Sequence, residues 1–145
     1  MSAPLSPDES TVGCVAAVLT RTRTLAALVA DAASLLVFAA IGRHSHHKHD
    51  DVFGVLGTAW PFLVGAAVGW AISRGWRAPR AIAPTGLAVW VCAVCVGMLL
   101  RVLDRQGVAW SFLLVASIAT AVFLLGWRLI AKLVPARSGA ERAQT

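Results

Sequence analysis

The chain has 145 residues, 58% of them hydrophobic and only 14% charged, with a net charge of +6 and a mean hydropathy of +0.73. Soluble domains run at roughly 45–50% apolar and about 25% charged, so an ordinary water-soluble globule is excluded and a membrane protein of one domain is expected. Nucleic acid is excluded as the reason for the basic excess, because the arginines bracket apolar segments as topology determinants do.

The chain opens on "MSAPLSPDES", with Asp8 and Glu9 where a secretory signal would be basic. The apolar run from Val12 to Leu19 is too short to span a bilayer. Residues 1–23 are therefore expected to form a disordered or interfacial cytoplasmic segment. Cys14, Cys92 and Cys95 are an odd, scattered set with no disulfide framework. The C-x-x-C at Cys92 and Cys95 lies inside "AVWVCAVCVGMLL", an apolar helical run in which cysteine behaves as a small hydrophobe.

Four runs are long and apolar enough to cross a bilayer as helices: Thr24–Gly42, Val52–Ser73, Ala81–Leu103 and Val108–Val134. Pro84 falls in the first turn of the third, where proline is tolerated. Pro61 lies inside the second and predicts a bend. The short connections make successive helices antiparallel neighbours. The expectation is an all-α, four-helix transmembrane bundle over residues 24–134, with a disordered cytoplasmic tail at 135–145.

Basic residues set the orientation. Arg21, Arg23, Arg74, Arg77, Arg80, Arg128, Lys132, Arg137 and Arg142 fall on one side, against Arg43, Lys48, Arg101 and Arg105 on the other. The positive-inside rule then places both termini in the cytoplasm of a multi-pass cell-membrane protein. Trp60, Trp76, Trp110 and Trp127 lie near span ends, as an aromatic belt would.

A faint repeat runs through the chain. "AWPFL" at 59–63 recurs as "AWSFL" at 109–113, and "GWR" at 75–77 recurs at 126–128. Both matches fall in the second helix of a hairpin, which suggests two repeated helical hairpins.

Ionisable groups inside a span cost about 2.5–3.5 kcal/mol each on insertion scales and point to function. Asp31 sits seven residues past Thr24 and Arg128 six residues before Val134, so both lie about 10 Å from the same end. Their spans run antiparallel, so the two can pair. Three readings stand side by side: a proton or substrate relay on Asp31, a buried pair that sets helix register, and an Arg128 that only snorkels to the headgroups. At the opposite end, Arg43 and Arg101 close spans one and three, either at headgroup level or, with Ser45 and His46, as an anion-binding mouth. Gly65-x-x-x-Gly69 in span two is a close-packing motif.

All four histidines, His44, His46, His47 and His49, lie in "GRHSHHKHDD" at 42–51, with Asp50 and Asp51. They offer donors for Zn²⁺, Ni²⁺ or Cu²⁺, but in a loop without a fixed helix face or supporting shell. Weak divalent-metal binding, or a solvated loop responsive near the histidine pKa, is expected; no other cofactor is.

The marks in order are an aspartate in span one, "GRHSH" at 42–46, "PFLVG" at 61–65, "PTG" at 84–86, "GMLLR" at 97–101, "SF" at 111–112 and "GWR" at 126–128. The chain resembles the small integral-membrane proteins grouped as domain of unknown function number three thousand and fifty-four, typical of actinobacteria and haloarchaea. The resemblance runs from about Thr24 to Lys132. Its G-R-x-S-H pattern marks Gly42, Arg43, Ser45 and His46, which implies that His44, His47 and His49 are local additions. It implies no activity.

No nucleophile–base pair, phosphate-binding loop or helix-borne metal motif supports an enzyme. The expected partners are the lipid bilayer and either further copies of the chain or another membrane protein. The expected role is a transporter-like or permeation unit working as an oligomer, or else an accessory or structural subunit of a larger membrane complex. A carboxylate in span one is also found in small multidrug-resistance transporters, but their flanking motifs are absent, so that likeness is architectural alone.

Replacing His44, His47 and His49 by Ala should abolish a Zn²⁺ or Ni²⁺ affinity no tighter than micromolar, with helicity unchanged. Calorimetry and circular dichroism check this; affinity that survives moves the site elsewhere.

Overall fold

A computed structural model describes residues 7–44, 52–105 and 110–134. Among these, four long helices follow one another: α1 (Pro7–His44), α2 (Val52–Ser73), α3 (Leu87–Leu103) and α4 (Trp110–Leu133). A short turn at Gly75–Arg77 and a wider one at Ile82–Gly86 join α2 to α3. There are no strands among the described residues. Each helix, α3 together with the wide turn before it, is long and apolar enough to cross a membrane. Most of each span's apolar surface points away from the bundle. Leu114, Ile118, Val122 and Leu129 form one such exposed face along α4. In water that face would be an aggregation surface; hydrocarbon covers it without cost. The chain is a multi-pass membrane protein.

The ends of the spans differ from the sequence expectation at two places. The helix of the first span does not begin at Thr24 but at Pro7, so residues 7–23, expected as disordered or interfacial, are helical. With 38 residues α1 is about 57 Å long, almost twice the hydrocarbon thickness of a bilayer. Thr24 donates a long hydrogen bond (3.5 Å) to the carbonyl of Trp76, which puts it level with the α2–α3 connection. Residues 11–23 project past that level with every side chain exposed. Hydropathy cannot report this, because a helix leaving the membrane turns polar without ceasing to be a helix.

The third span also starts differently. Pro84 does not sit in a regular first helical turn. Ala83 before it is extended (φ −119°, ψ 137°), and the Gly86 N–H reaches back to the Ala81 carbonyl at 3.0 Å. A residue before proline is pushed out of the α region, so the chain makes one wide turn before α3 proper begins at Leu87.

The tightest packing joins α2 to α3. A Cβ added at Gly65 would lie 2.5 Å from the Cys92 carbonyl oxygen, and one at Gly69 would lie 2.6 Å from the Val89 Cα. These two helices therefore touch backbone to backbone, which only glycine permits. Gly97 on α3 answers by accepting the Phe62 ring of α2. Around this seam Leu35, Phe38, Phe62, Val89, Ala93, Ala116 and Leu124 form the core, with Phe38 and Phe62 meeting edge to face at 5.5 Å between ring centres. The hydroxyls of Ser34, Thr58, Ser73, Ser117 and Thr120 each donate to a carbonyl four residues back in their own helix. The protons of these hydroxyls are thus spent within their own helices.

Gly69→Val should lower the thermal stability of the detergent-solubilised protein by about 1–3 kcal/mol or more, because the new methyls have only backbone to displace. Gly57→Ala, where a Cβ meets nothing within 4 Å, should be neutral or slightly stabilising. Equal melting temperatures for the two variants would remove the α2–α3 contact from the fold's determinants.

Candidate functional site

Two charged clusters occupy opposite ends of the bundle. The first is built on Asp31, which α1 carries on the same face as Ala27, Leu35 and Phe38. Asp31 is 2% exposed and Arg128, on α4, is 0% exposed. They form a two-pronged ion pair: Nη1 donates to Oδ1 and Nη2 to Oδ2, each at 2.7 Å. Two tryptophans complete the carboxylate. Trp127 Nε1 donates to Oδ1 and Trp70 Nε1 to Oδ2, each at 2.8 Å. Each oxygen thus receives two donors, which fills the acceptor capacity of a carboxylate.

Arg128 is held as firmly. Nη1 donates a second bond to the Leu124 carbonyl of its own helix at 2.7 Å. Its guanidinium carbon lies 4.6 Å from the centre of the Trp127 ring, within cation–π range. Nε has no hydrogen-bond partner among the described residues. The turns between α2 and α3 close the cluster from its near end. A Cβ at Gly86 would sit 3.0 Å from Arg128 Cδ, and one at Gly75 would sit 2.5 Å from the Trp70 ring and 3.0 Å from the Thr85 methyl. The backbone of each turn therefore lies directly on the side chains it covers, and Thr85 is itself buried. Three helices and both turns converge on one carboxylate.

Trp70 and Trp127 are the members that sequence reading missed. Trp127 was expected in an aromatic belt; it is half-buried and turned onto Asp31. Depth would not have found Trp70: it lies three residues before the end of α2, about 4.5 Å from it, against about 10 Å for the pair. The repeat does not place its matched residues in equivalent surroundings. Arg77 is exposed while Arg128 is buried, and Phe62 is in the core while Phe112 is only half-buried.

The second cluster lies where α1 ends and α2 begins. A cavity of about 400 Å³ opens there, lined by Phe38, Ala39, Gly42 and Arg43 of α1, Thr58 of α2, Arg101 of α3 and Phe112 of α4. The Arg101 guanidinium carbon sits 4.7 Å from the centre of the Phe112 ring. Its Nε and Nη1 are buried and have no hydrogen-bond partner among the described residues. Phe38 forms the inner wall and, through its contact with Phe62, separates the cavity from the core. Arg43 and Arg101 thus share one cavity. Ser45 and His46, expected beside them, lie outside the described residues, as do His47, His49, Asp50 and Asp51. His44 is the exposed last residue of α1. Among the described residues no three His, Cys, Asp or Glu side chains are grouped to hold a metal ion.

Asp31→Asn and Arg128→Leu should each destabilise the protein by about 3–5 kcal/mol, the range for stripping one partner from a buried pair, and the double variant should recover much of the loss. Trp70→Phe should cost less, about 1.5–3 kcal/mol, the value of one hydrogen bond to a charged group. Denaturation in detergent followed by tryptophan fluorescence measures all four. Additive losses in the double variant would show that the pair does not act as a unit.

A family described as "Protein of unknown function (DUF3054)" matches residues 28–131, most of the chain. The match includes Asp31, Arg43, Trp70, Arg101, Trp127 and Arg128 and excludes the projecting start of α1. No curated protein and no solved structure matches. The chain belongs to this family.

Proposed function

We propose that this member of the DUF3054 family is a transporter-like permeation unit of the cell membrane that works as an oligomer. The observation that carries the reading is the cavity at the α1–α2 end, furnished by all four helices and lined with two arginines. Ionisable groups in the spans that face a cavity are, by default, candidates for a solute or ion pathway. The recess is closed inward by the Phe38–Phe62 contact, and the hydroxyls deeper in the bundle are committed to their own helices. A single copy therefore holds a vestibule without a conduit. Transit needs either a rearrangement of the aromatic wall or a path between copies, and the outward apolar faces of the helices are the surfaces that copies would share. With both termini cytoplasmic, the vestibule faces outside.

Asp31 takes the structural role in this reading and not that of a relay. A carboxylate with four donors has no lone pair left for a proton or a solute. The same observation favours a second reading, an accessory or structural subunit of a larger membrane complex, in which the bundle is a rigid scaffold and the vestibule receives a partner. No reaction is assigned to either.

Protein reconstituted in liposomes should pass small organic anions faster than empty liposomes, and Arg101→Gln should abolish the difference. Cross-linking in native membranes should yield a defined homo-oligomer. Isolation as a monomer with one other membrane protein, and no flux, would instead select the accessory subunit. In a background free of cysteine, a cysteine at Arg105 should label from outside intact cells and one at Ala78 only after permeabilisation. The reverse pattern inverts the topology.

A further inference from the structure

The vestibule has a chemistry more specific than an opening. Its two charges are guanidiniums from different helices, Arg43 at the end of α1 and Arg101 near the end of α3. No acidic side chain is among its lining residues, although Asp104, three residues after Arg101, interacts electrostatically with that guanidinium. One face of the Arg101 guanidinium is covered by Phe112, which leaves the in-plane N–H groups as the reactive edge. Two of the guanidinium's nitrogens, Nε and Nη1, are removed from solvent and meet no acceptor of the described chain; they lie on opposite sides of the group and are separate donors, not one fork. A buried donor without an acceptor costs about 1–3 kcal/mol, more when charged, so a guanidinium with two such donors favours an incoming acceptor. Thr58 brings a hydroxyl to the same space; its own proton goes to the Gly54 carbonyl at 3.0 Å, so the oxygen remains an acceptor only. The remaining lining, Phe38, Ala39, Gly42 and Phe112, is apolar and aromatic. At about 400 Å³ the cavity is at the small end of ligand sites.

We infer that the vestibule binds an oxoanion, a carboxylate or phosphate, carried on a small apolar body. The oxygens take the Arg101 edge, with Arg43 supplying the second positive charge, and the apolar body lies against Phe38 and Phe112. Planar guanidinium against planar or tetrahedral oxoanion is the pairing for which arginine is better suited than lysine. Arg101 stands two residues before the end of α3, at headgroup depth, so the same chemistry can come from a free solute or from the headgroup of an anionic lipid. This inference rests on the vestibule being a binding site, but it requires no transport.

The test is calorimetric titration of the full-length protein, in phosphatidylcholine nanodiscs, with phenyl phosphate and benzoate, and with benzyl alcohol as the uncharged control. The expected result is saturable binding of at least one anion and at least tenfold weaker binding of benzyl alcohol. Arg101→Gln should weaken the anion at least tenfold with the melting temperature preserved. Gly42→Leu keeps the arginines and fills the space, since a Cβ at Gly42 meets nothing within 4 Å; it should weaken the anion as much and guards against a folding defect in the first variant. Repeating the titration in phosphatidylglycerol nanodiscs separates the sources: unchanged affinity identifies a free solute, and a tenfold loss identifies the lipid headgroup as the occupant. Absence of anion binding in phosphatidylcholine, equal binding of benzyl alcohol, or affinities within twofold of wild type in both variants overturns the inference. Binding without liposomal flux would sink the permeation reading and leave this one standing.

Discussion

Everything in this bundle is arranged around a carboxylate that has no water to turn to. Asp31 lies within a span whose surroundings are aliphatic, and a bare charge there would be untenable. The solution is saturation: a forked guanidinium from α4 and one indole each from α2 and α4. Because the donors come from separate helices, satisfying the charge also fixes how those helices stand to one another. α1 gains few close backbone contacts of the kind that join α2 to α3 through Gly65 and Gly69, so the polar knot is what fastens it. In lipid, burial of apolar side chains gives little net drive to association, and directional polar contacts and close packing take over. Both devices are present, each at a different seam.

The two ends of the molecule treat their arginines in opposite ways. Both Nη groups of Arg128 are matched to oxygens of Asp31, Nε alone being without an acceptor among the described residues, and the Gly86 turn lies on its side chain. Arg101 rests on an aromatic ring with part of its donor edge unanswered, beside a cavity. The first arrangement leaves nothing for a solute to bind, while the second leaves a position that a solute can fill. Intramembrane charge alone therefore does not identify a working site; a carboxylate held against the guanidinium marks the lock, and a cavity beside unanswered donors marks the receptor.

The four spans were legible because apolar length is a physical requirement of crossing a bilayer, and α2 runs over the same residues as its hydropathy. Where α1 begins was not legible, since Thr20, Arg21, Thr22 and Arg23 read as an exit from lipid and say nothing about the backbone. At the third span Pro84 was read for its missing donor alone, and its push on Ala83 out of the α region, which makes the wide turn, was overlooked. Depth arithmetic was enough to bring Asp31 and Arg128 to one level. It was silent on rotation, so Trp70 and Trp127 were not seen as donors, and Phe112 and Thr58 were not seen beside Arg101. Helix rotation is set by packing, which is a property of pairs of faces and not of one segment.

The ion pair joins the first helix to the last, across 97 positions of sequence. A chain made at about 5–20 residues per second therefore exposes Asp31 to the membrane for several seconds before Arg128 has been synthesised. During that interval the first helix must be kept in lipid by its hydropathy alone, or sheltered in the insertion channel until the fourth arrives. Once Arg128 docks, the carboxylate, both indoles and the two capping turns close together, and the bundle becomes difficult to take apart one helix at a time. Truncation anywhere before Trp127 leaves the aspartate with at most Trp70 as a side-chain donor, a feature that membrane quality control can recognise.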